Sequence, residues 1–289
     1  MSRQRERVLE LGLAAAAVLA SASVLALLLF LAWFCLPLLR GGHAAEILSW
    51  DWRPFHGAYG ILPMVAGSLL LSVSALALAF PVALGICSFA HGLGPPRLAR
   101  LVMAVVHLMT GIPTILYAFV SAMVLVPLVR GAVDVGSGYS LLTATLVLSV
   151  LILPTLVLLI HACWQGAGKD LRVTCAALGL TKAQELLRVL LPATWRGLAA
   201  AAILGFGRAI GDTMIALLLA GNAPQVPGSV LDSFRALTAH IALVIATDSQ
   251  DATYASVFAS GLILLLMTAG LSLSARLLHA RSRHATHPR

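Results

Sequence analysis

Long apolar runs dominate the sequence and set the strictest limit on how the chain can fold. Several exceed about 20 residues, enough for a helix to cross a hydrocarbon layer of roughly 30 Å. Hydrophobic residues fill 60% of the 289 positions and charged residues only 10%, which is too little polar surface to coat a water-soluble globule. The sequence therefore predicts an all-α integral membrane protein and argues against a cytosolic enzyme.

Six transmembrane helices are expected, separated by short polar or Gly/Pro-rich links. Their expected ranges are 12–39, 61–90, 101–129, 141–163, 198–221 and 253–278. The first resembles a cleaved signal peptide, because arginines precede it and Ala20-Ser21-Ala22 is a small-residue pattern. Its apolar run continues to Leu39, which is too long for a cleaved segment, so a signal-anchor helix is expected.

Lysine and arginine are unevenly divided between the two sides of this arrangement. Fourteen of the 19 lie before span one or after spans two, four and six. The opposite side holds Arg40, Arg53, Arg130 and Arg235. Because loops rich in Lys and Arg stay in the cytoplasm, both termini are expected there. The net charge of +8 comes from these clusters, which indicates topology and not a nucleic-acid-binding face.

No metal site, disulfide framework or nucleotide site is expected. The four cysteines lie in or beside apolar runs without metal-ligand spacing. Residues 166–170 resemble part of a phosphate loop, but Asp170 stands where a Ser or Thr would ligand magnesium. Any ATP that the protein uses must therefore be bound by another polypeptide.

The stretch 164–197 is long enough to form an element of its own on the cytoplasmic side. Two short helices are expected, hinged at Gly179-Leu180-Thr181 and ended by Pro192, with Thr181 as the N-cap of the second. They could dock a partner or lie as an amphipathic loop on the membrane. The external stretch 222–252 is expected to hold a half-inserted helix over 236–246.

Arg208 is the most unusual residue of the fifth span. It lies about 15 Å deep at ~1.5 Å per residue, where an arginine costs roughly 2.5 to 3.5 kcal/mol. It is therefore expected to meet an anion or a carboxylate. Asp212, four residues later, is expected on the same helix face and within its reach. A permanent structural pair and an anion site both remain open.

The cytoplasmic stretch resembles the "EAA" loop of binding-protein-dependent ABC-transporter permeases. Ala176-Ala177-Leu178-Gly179 is followed after nine residues by Val189-Leu190-Leu191-Pro192, as in the family pattern, although Val173 replaces the acidic residue. In the family this loop forms coupling helices that seat on the ATPase subunit. The resemblance implies coupling residues Ala176, Ala177, Leu178, Gly179, Leu180, Thr181, Leu191 and Pro192.

The fifth span is similar to that of phosphate ABC-transporter permeases. Residues 205–214 match their G-x-G-R-A-x-G-E-T-M run and 221–224 their G-N-x-P run, which favours the C-type subunit over the A-type. Residues 111–117 and 235–242 also match, so the resemblance covers about 60–280. It implies a type-1 ABC-importer permease whose substrate pathway includes Arg208, Asp212, Thr213 and Asn222.

The same resemblance implies the partners. They are a second permease, two copies of an ATP-binding subunit that holds ATP and magnesium, and an external phosphate-binding protein. The complex is expected in the bacterial inner membrane, in contact with its lipid. The chain itself is expected to be non-catalytic. The expected units are 1–60 with the first helix, a permease core over 61–280, and a basic tail over 281–289. Alternatives are another oxyanion such as molybdate or sulfate, a different small solute, an ion-gradient-driven transporter and a membrane scaffold.

Overall fold

The chain folds into helices and one short β-hairpin. The computed structural model describes the backbone of residues 3–40, 44–133, 136–247 and 251–285, and the side chains of 7–36, 46–133, 136–167, 171, 173–247 and 256–277. The first helices are α1 (Arg3–Arg40), α2 (Ala44–Ile47), α3 (Leu62–Ser88), α4 (Pro96–Thr110) and α5 (Thr114–Ala132). The others are α6 (Leu141–Ala177), α7 (Lys182–Gln184), α8 (Leu191–Ile210), α9 (Met214–Leu219), α10 (Leu237–Thr247) and α11 (Asp251–Ala285).

Six of the described helical segments are long and apolar enough to cross a membrane, which confirms the predicted number. They are Arg7–Leu36, Leu62–Leu93, Thr114–Ala132, Leu141–Ala167, Lys182–Ile210 and Ser256–Leu277. On the first, large apolar side chains such as Leu11, Val18 and Trp33 are exposed. Such a surface is compatible with lipid tails, which are as apolar as leucine. The side chains of the expected basic tail, 281–289, lie outside the described residues.

The core is built around α6. Leu148, Ile152, Leu156 and Ile160 recur every four residues, so they share one helix face, and all are fully buried. This side of the bundle packs α6 against α3 and α8, while α8 also packs against α11. A second buried cluster lies beside the hairpin, whose strands β1 (Trp52–Arg53) and β2 (Ala58–Tyr59) pair antiparallel. We call this end of the bundle the hairpin end.

The third predicted span is wrong as one continuous helix. Helix α4 ends at Thr110 and α5 begins at Thr114, with Gly111, Ile112 and Pro113 between them. Proline has no backbone N–H to donate and disfavours helical geometry in the residue before it. The chain therefore breaks at this point, and α5 alone is long and apolar enough to span.

The cytoplasmic stretch also differs from its prediction. Helix α6 continues from the fourth span to Ala177, so the first of the two expected short helices is its extension. Pro192 does not end the second helix, because a π-helical turn over Glu185–Leu190 joins α7 to α8, and the proline occupies the first turn of α8. Because proline has no N–H to donate, it follows directly on the π-helical turn, where the regular α-helical bonding is already interrupted. The hinge and the Thr181 cap are confirmed.

Candidate functional site

The fifth span is interrupted at Gly211-Asp212-Thr213. Helix α8 ends at Ile210 and the short helix α9 begins at Met214, so the predicted continuous span 198–221 is wrong. Irregular backbone at membrane depth is tolerated only where protein or a water-filled cavity satisfies its polar groups. Here the carbonyl of Asp212 accepts a hydrogen bond from Oγ1 of Thr238 at 2.9 Å. The break is therefore held by the first turn of α10.

Arg208 and Asp212 do not form the pair that their spacing predicts. Because α8 ends at Ile210, Asp212 leaves the helix, and its carboxylate accepts a hydrogen bond from the backbone N–H of Ile215 at 2.9 Å. Arg208 lies on the last turn of α8 and is exposed. Its side chain makes no hydrogen bond or ion pair with any other described residue. The guanidinium is therefore open to a group from outside this chain, while the charge of Asp212 acts on it without forming an ion pair.

Exposed side chains also lie near Arg208 on α8 and along α5, and we call these two helix surfaces the exposed face. Leu204, one turn before it, is 38% exposed, and Gly211 beyond it is also exposed. Helix α5, which packs against α9, exposes Phe119, Met123 and other large apolar side chains. Clusters of exposed apolar side chains mark surfaces that contact lipid or protein. The face can therefore take a second subunit.

Thr213 and Asn222 bracket α9. Thr213 is half-buried at the start of this helix, and its carbonyl accepts the N–H of Leu217 at 2.8 Å. Asn222 lies just after the helix with a left-handed φ of 58°. Its Nδ2 donates to the carbonyl of Leu217 at 2.7 Å, while its buried Oδ1 has no partner among the described residues. Both predicted pathway residues therefore lie at the ends of one short helix.

Arg235 is a residue that the sequence reasoning did not assign to the site. Its Nε donates to the carbonyl of Asn222 at 3.0 Å, so it contacts one of the predicted pathway residues directly. The sequence signal was its place at the start of the matching stretch 235–242, three residues before Thr238. Asp212, Thr213 and Asn222 thus flank α9, and Arg235 and Thr238 connect α10 to Asn222 and Asp212, while Arg208 lies on the last turn of α8.

The predicted coupling residues form an exposed turn between α6 and α7. Gly179 adopts a left-handed φ of 68°, which reverses the chain after α6. Thr181 accepts the N–H of Gln184, and the Gln184 side chain accepts the N–H of Thr181, so the pair forms a capping box. Leu178 is 71% exposed and Val173 is 72% exposed. Of the other predicted residues, Pro192 is exposed and Leu191 packs partly into the core.

A buried polar network lies beneath this turn. Glu185 is 5% exposed and pairs with Nζ of Lys182 at 2.9 Å. His91, after the end of α3, approaches the same carboxylate at 3.7 Å and packs edge-on against Trp164. The indole of Trp164 donates to Thr194 on α8 at 3.1 Å. Displacing the turn would therefore disturb α3, α6 and α8 together.

Comparisons with known proteins agree with this arrangement. Residues 82–284 match the family described as "Binding-protein-dependent transport system inner membrane component". The chain is 32% identical over 254 residues to the probable ABC transporter permease protein YqgH of Bacillus subtilis, covering 85% of this chain and 81% of that protein. It is 30% identical over 253 residues to the phosphate transport system permease protein PstC of Pasteurella multocida, covering 80% and 78% respectively.

A solved structure shares the fold. A chain of the MetNI methionine ABC transporter in an inward-facing conformation matches with a TM-score of 0.58, covering 80% of this chain and 99% of that chain. The identity is 18%, so this similarity concerns the architecture and not the cargo. The chain belongs to the binding-protein-dependent transport system inner membrane components, which are the permease subunits of ABC importers.

Proposed function

We propose that the chain is the C-type permease subunit of an ATP-driven importer that moves inorganic phosphate across the bacterial cytoplasmic membrane. The observation that carries this proposal is Arg208, an exposed arginine without a partner among the described residues, beside the break in the fifth span. A guanidinium presents parallel N–H donors that fit two oxygens of a phosphate. The similarity to a phosphate permease supports this cargo.

The proposed assembly has four other components. A second permease covers the exposed face of α5 and α8, and two copies of an ATPase subunit dock on the turn at Leu178. These ATPases bind ATP and magnesium, while this chain performs no catalysis. An external binding protein delivers phosphate at the hairpin end. Both termini lie in the cytoplasm, because most lysines and arginines flank that side.

Residues 61–280 form the permease core of the proposed assembly. Residues 1–60 add the peripheral helix α1, whose Phe34 stacks on Phe258 of α11 with ring centroids 4.6 Å apart. The basic residues of 281–289 favour contact with anionic headgroups.

The proposed mechanism is alternating access. Closure of the ATPases on nucleotide moves the exposed turn, and the continuous helical run Lys182–Ile210 carries this displacement to Arg208. The bundle then exchanges an outward opening for an inward one, with phosphate passing the guanidinium. A hydrogen bond to a charged group contributes about 1.5 to 3 kcal/mol. Such a contact is strong enough to select an oxyanion and weak enough to release it.

The test uses the complete transporter, with its binding protein, reconstituted into liposomes. ATP-driven uptake of radiolabelled phosphate is measured for the parent chain, for Arg208→Ala and for the control Arg130→Ala, at an exposed arginine in the last turn of α5. We expect Arg208→Ala to lower phosphate uptake by about tenfold or more. Basal ATP hydrolysis and assembly should remain, and the control should transport normally.

Three results would overturn parts of this proposal. Phosphate uptake by Arg208→Ala equal to that of the parent would remove the site assignment. Uptake of molybdate or sulfate by the parent, without uptake of phosphate, would show that the cargo is another oxyanion. Uptake that persists without ATP and collapses with the proton gradient would identify a secondary transporter.

A further inference from the structure

A cavity of about 740 Å³ opens at the hairpin end, between the hairpin and α10. Its lining includes Trp52, Arg53 and His56 from the hairpin and Arg235 and Thr247 from the segment around α10. Ligand-binding pockets usually measure about 300 to 1,000 Å³. The cavity is therefore large enough for a hydrated oxyanion.

Arg235 is held rigidly beside this cavity. The backbone around it is fixed by bonds from the N–H of Phe234 to the carbonyl of Ala220 at 2.9 Å and from the N–H of Leu237 to Oγ of Ser68 at 2.7 Å. A Cβ at Gly67 of α3 would approach the carbonyl of Arg235 to 2.6 Å, so the two backbones are in close contact. A pre-positioned guanidinium loses little conformational entropy on binding.

The charge of Arg235 has no acidic partner among the described residues. Its Nε is bonded to the carbonyl of Asn222, which leaves the terminal nitrogens without a described acceptor. Arg53, also in the lining, pairs with Asp51 at 3.0 Å, so this pair adds no net charge and the uncompensated cation is Arg235. Burial lowers the pKa of Arg235, as expected for a cation that lacks compensation. The cavity thus carries an unbalanced positive charge.

We propose that Arg235, together with Arg53 and His56, forms an oxyanion-binding site at the hairpin end that receives inorganic phosphate before it reaches Arg208. This inference rests on the proposed function. The terminal nitrogens of Arg235 bind two oxygens of the anion, and Arg53 and His56 add side-chain nitrogens that can donate hydrogen bonds at the hairpin. Because Arg235 also contacts Asn222, the site adjoins the residues proposed to line the pathway.

The test probes the cavity directly in the reconstituted complex. Thr247→Cys places a thiol on an exposed residue of the cavity lining, and labelling is measured against the parent, whose Cys35, Cys87 and Cys175 are buried. An anionic and a cationic methanethiosulfonate reagent report the local charge through the ratio of their rates. We expect the anionic reagent to label the thiol about tenfold faster than the cationic reagent does. Inorganic phosphate should slow labelling by the anionic reagent.

Two variants separate binding from a structural role. In Arg235→Gln, the rate preference and the phosphate protection should both disappear, and the KM for phosphate uptake should rise about fivefold or more with little change in kcat. Arg235→Lys keeps the positive charge but not the paired N–H donors of the guanidinium. It should therefore retain the preference for the anionic reagent and lose most of the protection by phosphate. Arg130→Gln, on an exposed arginine outside the cavity, should behave like the parent.

The outcomes distinguish this site from the proposed function. Normal ATP-driven phosphate uptake by a parent complex that shows no phosphate protection would overturn the site alone. Protection by the phosphate-binding protein but not by free phosphate would identify a docking surface instead and would also overturn the site. Absence of phosphate uptake by the parent would overturn the proposed function.

Discussion

The carboxylate of Asp212 accepts the backbone N–H of Ile215 at 2.9 Å and caps α9, while Arg208 one turn earlier remains unpaired among the described residues. The two charges are close in sequence but have different tasks. Asp212 fixes the start of a short helix, and Arg208 is available to an anion. A fixed carboxylate bound to the arginine would compete with phosphate for the same donors.

The capping role predicts different effects for two substitutions of Asp212. Asp212→Ala removes the acceptor and should cost about 0.5 to 2 kcal/mol of stability, whereas Asp212→Asn keeps an oxygen that can cap. Thermal unfolding of the purified complex measures both, and we expect a lower Tm for alanine only. An equal loss in the two variants would show that the negative charge, and not the cap, is what matters.

The glycines of the fifth span should not tolerate alanine equally. A Cβ at Gly205 would clash with the side chain of Leu156, which is fully buried and cannot move away easily, whereas a Cβ at Gly207 meets nothing within 4 Å. Overpacking of this kind typically costs about 1 to 3 kcal/mol. Gly205→Ala should therefore lower the Tm of the complex and Gly207→Ala should not. The reverse order would contradict the packing of α8 on α6.

The exposed turn predicts where the ATPase docks. Leu178→Asp puts a charge on an apolar side chain that is 71% exposed, so it should abolish co-purification of the ATPase subunit and ATP-driven uptake. The matched variant is Val173→Glu, which also charges an exposed residue and restores the acid of the family pattern. It should retain the ATPase. Loss of the ATPase in both variants, or in neither, would contradict this assignment.

His240 makes stability depend on pH. Burial and, secondarily, the charge of Arg235 lower the pKa of this histidine to about 3. Because an unfolded histidine titrates near about 6.5, only the unfolded chain gains this proton as the pH falls below that value. Stability should be complete above about pH 7 and should fall by up to ~1.4 kcal/mol per pH unit between about 6.5 and 3.

Thermal unfolding from about pH 8 to pH 5 measures this dependence. His240→Gln should remove most of the slope. An unaltered slope in His240→Gln would assign the pH dependence to other groups.

Much of the fold follows from the sequence because hydropathy alone determines the number of spans. The breaks at 111–113 and 211–213 do not follow from it, since apolar residues dominate the chain on both sides of each break. Pro113 signalled the first break. At the second, Asp212 is a local signal because its carboxylate caps α9, whereas the bond from Thr238 to the carbonyl of Asp212 is tertiary and has no signal in the fifth span.

The candidate site follows from the sequence only in part. The i, i+4 spacing of Arg208 and Asp212 predicted a contact that requires an unbroken helix, and the helix ends between them. Glu185 and His91 are 94 positions apart in the sequence, so their proximity arises from packing alone. Arg235 likewise reaches Asn222 only because the chain folds back after α9.

The π-helical turn over Glu185–Leu190 sets the direction in which every later side chain of the run to Ile210 points around the helix axis. A π-turn accommodates an extra residue relative to an α-helical turn, and each residue rotates the helix by about 100°. Deleting one residue there would therefore swing the guanidinium of Arg208 about a quarter of a revolution relative to the Thr181 cap. This one π-helical turn therefore fixes the orientation of the cytoplasmic coupling surface relative to the anion-facing side of the bundle.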